Sequence, residues 1–127
     1  MGKYEDLVKL AVNDLKISEL LLNTSNDELM QNSAAYHTQQ AVEKIIKAHI
    51  ERSGKHAGLE HNIGALTAFM KNGGIIYPDW VEEYAYDISL WATTIRYNVN
   101  YKADHDLIEK INDLLKEWMN NNEADEK

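Results

Sequence analysis

Residues 34–50 read Ala-Ala-Tyr-His-Thr-Gln-Gln-Ala-Val-Glu-Lys-Ile-Ile-Lys-Ala-His-Ile, seventeen positions without glycine or proline. Met30, Ala34, Ala41, Ile45 and Ala48 recur at spacings of three, four and seven. Ala35, Val42, Ile46 and Ile50 form a neighbouring row at the same period. Such spacing is that of an α-helix, and two adjoining apolar rows make it apolar over more than half its circumference. Gln40, Glu43, Lys44, Lys47 and Glu51 are left as the solvated side. A helix of this kind needs several neighbours, so residues 27–53 are predicted to be the centre of a helical bundle.

The rest of the chain supplies those neighbours. Tyr4, Leu7, Val8, Ala11, Leu15, Leu21 and Leu22 predict a first helix over residues 3–23. The polar break Asn23-Thr24-Ser25-Asn26 follows, with Ser25 and Glu28 at capping-box spacing. Gly54 ends the central helix, and residues 55–60 form a loop. A short helix over 60–71 is expected to bury Ile63, Leu66, Phe69 and Met70, with Gly64 marking a close helix approach. Asn72-Gly73-Gly74 ends it. Pro78 opens a fourth helix with two stripes: Trp80, Tyr84, Ile88, Trp91 and Ile95, then Tyr86, Leu90, Thr93 and Tyr97. The second stripe is expected to be covered either by the last helix or by a second subunit. That last helix starts near Asp104–Asp106, where Asp106 and Glu109 again have capping-box spacing, and buries Leu107, Ile111, Leu114 or Leu115, and Trp118. The fold expected is all-α: an up-and-down four-helix bundle with one additional short helix over residues 1–119, then a polar, frayed tail over 120–127.

Composition narrows the chemistry. The 127 residues contain no Cys, one Pro and six Gly, which argues against disulfides, thiolate metal sites and turn-rich β architectures. With 13 basic and 21 acidic side chains the net charge is −8, unfavourable for broad affinity toward nucleic acid. No apolar run approaches the ~20 residues of a membrane span, and polar residues interrupt the first twenty positions where a signal peptide would lie. A soluble, cytoplasmic domain with no membrane association is expected. His56 and His61 are five apart but lack a zinc pattern, no phosphate-binding glycine loop is present, and no cofactor or metal is expected.

Only Arg52 and Arg96 of the basic residues are arginine. Arg52, in the last turn of the central helix, suits the helix dipole. Arg96 ends the fourth helix and is followed by Tyr97, Asn98, Asn100, Tyr101 and His105, a dense group of hydrogen-bonding side chains. A guanidinium there suits a phosphate ligand, with His105 available as acid or base. Lys44, Lys47, Arg96 and Lys102 are candidates for a local positive cleft.

Tyr36-His37-Thr38-Gln39-Gln40-Ala41-Val42-Glu43-Lys44 resembles the central-helix pattern aromatic-His-x-Gln-Gln-Ala-x-Glu-Lys of the HEPN family. His61-Asn62-Ile63 resembles the family's His-Asp-Leu, and Arg96-Tyr97-Asn98 its Arg-Tyr-Pro. The resemblance covers Tyr4 to Trp118. It implies a bundle of about five helices, commonly a homodimer, and two classes of role. One is a partner or nucleotide- or substrate-binding subunit of a minimal nucleotidyltransferase, as in toxin–antitoxin pairs. The other is a metal-independent endoribonuclease acting on RNA through Arg and His separated by four to six residues. In this chain eight residues separate Arg96 from His105, and Tyr101 stands within the expected window. The first role is therefore the expectation, with Arg96, Tyr97, Asn98, Tyr101, His37 and Lys44 as binding residues. Arg96 and His105 are the catalytic pair only under the alternative.

Overall fold

The computed structural model describes residues 2–24 and 26–125, with the side chains of Arg96 and residues 122–125 outside the description. Six α-helices follow in order: α1 (Gly2–Thr24), α2 (Glu28–Arg52), α3 (Ile63–Asn72), α4 (Asp79–Glu83), α5 (Ala85–Tyr97) and α6 (His105–Asp125). The described residues contain no strand. As the wide apolar arc requires, α2 is central and packs against α1, α3, α5 and α6. Ala34, Ala35, Ala41, Val42, Ile46, Ala48 and Ile50 are wholly buried along it. Small alanines let α1 and α5 approach closely, and Ile45, Ile46 and Ile50 fill the space between with Trp91, Ile108, Ile111 and Leu115.

Several helix boundaries fall elsewhere than the sequence pattern predicts. The capping box proposed for Ser25 lies outside the described residues; the α2 N-terminus is capped by Asp27, whose Oδ1 accepts from the backbone N–H groups of Leu29 and Met30 at 2.8 and 3.1 Å. At α6 the cap is Asp104 rather than Asp106, accepting from Asp106 and Leu107 N–H at 3.0 and 3.3 Å. Helix α3 starts at Ile63 because Asn62 Oδ1 takes the Ala65 N–H at 2.9 Å. A Cβ at Gly64 would meet that same Oδ1 at 3.1 Å, so the glycine makes room for the cap rather than for another helix. Helix α6 continues past Asn120 to Asp125.

The single helix expected after Pro78 is two. The backbone at Tyr84 leaves helical geometry, with φ −103° and ψ 9°. The two pieces answer to different neighbours: Trp80 of α4 meets the edge of Trp118 of α6 at 5.9 Å, whereas α5 lies on α2 and α3. Its first stripe is core, with Ile88 and Trp91 buried and Tyr84 and Ile95 half-buried. The second stripe is not covered by α6, which packs on α2 and α1 instead. Tyr86 is 75% and Tyr97 86% exposed. Met30 and Phe69, both expected in the core, are also exposed, while Ile108, which no expected row included, is completely buried.

Candidate functional site

The solvated side assigned to α2 is neither fully solvated nor idle. Asp14 of α1 is buried, and its two carboxylate oxygens meet two α2 residues one heptad apart. Oδ1 lies 3.0 Å from His37 Nδ1, and Oδ2 accepts from Lys44 Nζ. A carboxylate oxygen only accepts, so His37 donates from Nδ1, with Nε2 turned away from Asp14. Glu43 is buried too, although its position on the helix suggests exposure. Its Oε1 accepts from Gln39 Nε2 at 3.0 Å; its Oε2 lies 2.8 Å from His61 Nδ1 and 3.2 Å from Lys47 Nζ. Gln40 Nε2 in turn donates to Gln39 Oε1 at 2.7 Å. Between these clusters Ser18, Thr38 and Asn112 close a cycle joining α1, α2 and α6. The Ser18 hydroxyl donates to Thr38 at 2.8 Å, Thr38 to Asn112 Oδ1 at 2.7 Å, and Asn112 Nδ2 to Ser18 at 3.0 Å. Among the described residues no buried side-chain nitrogen or oxygen lacks a partner.

The α5–α6 junction is built differently. The backbone of Arg96 lies in the last turn of α5; its side chain is outside the described residues. Tyr97 stands almost fully in solvent, as does Val99 at 71% exposure. Asn98 Oδ1 accepts from Asn100 N–H at 3.0 Å, and its carbonyl accepts from Tyr101 N–H at 3.0 Å, turning the chain back toward the bundle. Tyr101 is half-buried, and burial pushes its phenol above the ordinary tyrosine range. Asn32 of α2 holds the returning segment through Nδ2 to the Tyr101 carbonyl at 2.7 Å and Oδ1 to the Ala103 N–H at 2.9 Å. Lys102 pairs with Glu28 at 3.2 Å. His105 pairs with Glu109 of its own helix through Nε2 at 3.2 Å.

Two groups of sequence-predicted site residues therefore occupy two places. Tyr97, Asn98, Tyr101 and His105 share the junction with the Arg96 backbone. His37 and Lys44 do not: relative to Asn32, which touches the junction, they lie five and twelve residues further along α2 and about 120–140° around it. Of the cations named for a positive cleft, Lys44, Lys47 and Lys102 pair with three different carboxylates, those of Asp14, Glu43 and Glu28, and the Arg96 side chain lies outside the described residues. Sequence reading overlooked Asp14, Asn32 and Asn112. A polar residue on an otherwise apolar helix row, as Asn112 is between Ile111 and Leu115, is the one available signal.

A third cluster sits at the opposite end of α2. His49 is buried with its ring stacked on Trp118 at 4.7 Å and 11°, and the edge of Tyr4 is 6.3 Å away. Burial, assisted by the charge of Arg52, lowers its pKa to about 4. Arg52 donates to the Tyr4 hydroxyl at 3.0 Å and lies 5.0 Å from that ring's centroid. Among the described residues no group of three or more His, Asp or Glu is placed to hold a metal ion, and no helix is long and apolar enough to cross a membrane.

The fold and its polar clusters define an all-helical module organised on one central helix, whose motif residues tie it to its neighbours. The chain belongs to the HEPN domain family, whose model matches residues 4–124. No curated protein and no solved structure matches the chain significantly.

Proposed function

We propose that this HEPN module is a non-catalytic, dimeric binding subunit, and that the outer face of α5 with the α5–α6 junction takes the second copy. The observation that carries this reading is the uncovered stripe, where Tyr86 and Tyr97 expose most of their surface beside Leu90 and Thr93. Large exposed aromatics grouped on one helix are a signature of protein contact surfaces. The four stripe residues are uncharged, which matters for a chain carrying −8: two copies repel unless they meet on a neutral face. A two-fold interface is self-complementary, so one such stripe suffices for both partners.

The paired module would then serve a nucleotidyltransferase subunit, with Arg96, Asn98 and Tyr101 at the rim of the paired contact as the nucleotide-facing residues and Tyr97 within it. Support comes from the grouping of Tyr97, Asn98 and Tyr101 in one turn, and from His105 being engaged by Glu109. The ribonuclease reading needs His105 to act with Arg96 across eight intervening residues. Purified protein incubated with mixed RNA and chelator, beside Arg96→Ala, separates the two. The binding-subunit reading expects no cleavage by either protein, together with co-purification of a nucleotidyltransferase encoded nearby. Cleavage by wild type that is lost in Arg96→Ala would replace it with the endoribonuclease.

A further inference from the structure

Asn32 is buried, extends the Ala35–Val42–Ile46–Ile50 row and reaches across 69 and 71 positions of sequence to the segment that carries the proposed contact face. Its amide donates to the Tyr101 carbonyl and accepts from the Ala103 N–H, the same two-bond pairing that neighbouring strands make. Tyr101 N–H is in turn bonded to the Asn98 carbonyl, and Asn98 follows Tyr97 directly. A short run of hydrogen bonds thus links the interior of α2 to Asn98, which stands between two exposed apolar side chains, Tyr97 and Val99. Beyond it, residues 98–103 are held by the burial of Tyr101 and Ala103 against the core and by the Lys102–Glu28 pair, both ends of which are exposed and worth little.

We infer that Asn32 is a positioning residue for self-association: it sets the conformation of the Tyr97–Ala103 segment before the second copy arrives, so that the interface does not have to order a loop. The inference rests on the α5 face being the dimer contact. A loop ordered in advance spares the entropy of fixing its residues on binding. The Ser18–Thr38–Asn112 cycle is the natural control, equally buried but joining α1, α2 and α6 away from the junction.

Sedimentation equilibrium of the full chain, well below every variant's unfolding temperature, tests the role. Asn32→Ala is expected to weaken the dimer about tenfold, and Asn112→Ala to leave its dissociation constant unchanged while lowering Tm by a similar amount. Adding Asn32→Ala to Tyr97→Ala is expected to weaken the dimer less than the product of the two single effects, because both changes act on one contact. Should Asn32→Ala lose cooperative unfolding, Asn32→Asp carries the test. It keeps the acceptor for Ala103 but removes the donor to Tyr101, and the same weakening is expected. A wild-type dimer weakened by Tyr97→Ala but indifferent to Asn32 substitution would overturn the positioning role alone. A monomeric wild type, or one indifferent to Tyr97→Ala, would overturn the dimer face and the positioning role together.

Discussion

The inward-looking face of α2 and the outward-looking face of α5 are each rich in side chains able to bind something, yet they end up in opposite conditions. On α2, His37 and Lys44 share Asp14, while Gln39, Lys47 and His61 converge on Glu43. The motif that names the family is spent inside the chain. On α5, Tyr86 and Tyr97 touch little within the chain. The central-helix motif is thus engaged in holding the bundle together, whereas Tyr86 and Tyr97 of α5 stay exposed. The comparison can be broken from either side: substitutions in the Asp14 and Glu43 clusters of α2 should cost stability and leave association alone, and substitutions on the α5 face should do the reverse.

The largest effect is expected at Glu43. Glu43→Ala removes a buried carboxylate and leaves the Gln39 amide and Lys47 ammonium without their acceptor, for a loss of about 3 kcal/mol by urea unfolding. Retention of the wild-type dimer constant alongside that loss would uphold the division; a dimer lost at full stability would break it.

Acid pH gives an effect of similar size at His49. The folded chain holds this ring near pKa 4 against the ordinary 6.5. Above pH 6.5 the ring is neutral in both states and its contribution to stability is whole. As pH falls from 6.5 toward 4 the unfolded chain takes up the proton first, and stability declines by at most roughly 3 kcal/mol. His49→Phe, which keeps an aromatic ring against Trp118, is expected to flatten that part of the pH profile. An unchanged slope between pH 6.5 and 4 would show that His49 is not the group responsible.

Asn112→Ala opens the buried cycle with Ser18 and Thr38 and is expected to cost about 1–2 kcal/mol. Tyr86→Ala should be nearly silent in the same assay run below the dimer's dissociation constant, within about 0.5 kcal/mol, because a side chain exposed in the single chain has little burial to lose.

The fold was legible because periodicity reports burial on regular helices: the rows of α1, α2 and α6 and the stops at Gly54 and Asn72 follow from it directly. Periodicity failed where one helix had two masters. The pattern from Trp80 to Ile95 is continuous, and only the competing docking of Trp80 on Trp118 reveals the break at Tyr84. It also failed for Glu43, since a charge written on a helix wheel is assigned to solvent. A carboxylate met by three donors from α2 and the α3 entry is stable inside, but those donors assemble only in three dimensions. Capping signals suffered likewise: Asp27 and Asp104 compete with nearby residues of equal capping strength, and backbone geometry chooses between them. For the candidate site, the grouping of Tyr97, Asn98, Tyr101 and His105 was readable as a local run, whereas Asn32 was not, being some seventy residues away from the segment it holds.

The most direct test of the division between the two faces is the mass of Tyr86→Glu/Tyr97→Glu by light scattering beside its Tm. The account expects a dimeric wild type, a monomeric variant and, at dilutions where the wild type is itself dissociated, a Tm within about 3 °C of wild type, since both side chains are exposed in the single chain. A variant that stays dimeric, or one that becomes monomeric only by losing its fold, would contradict it.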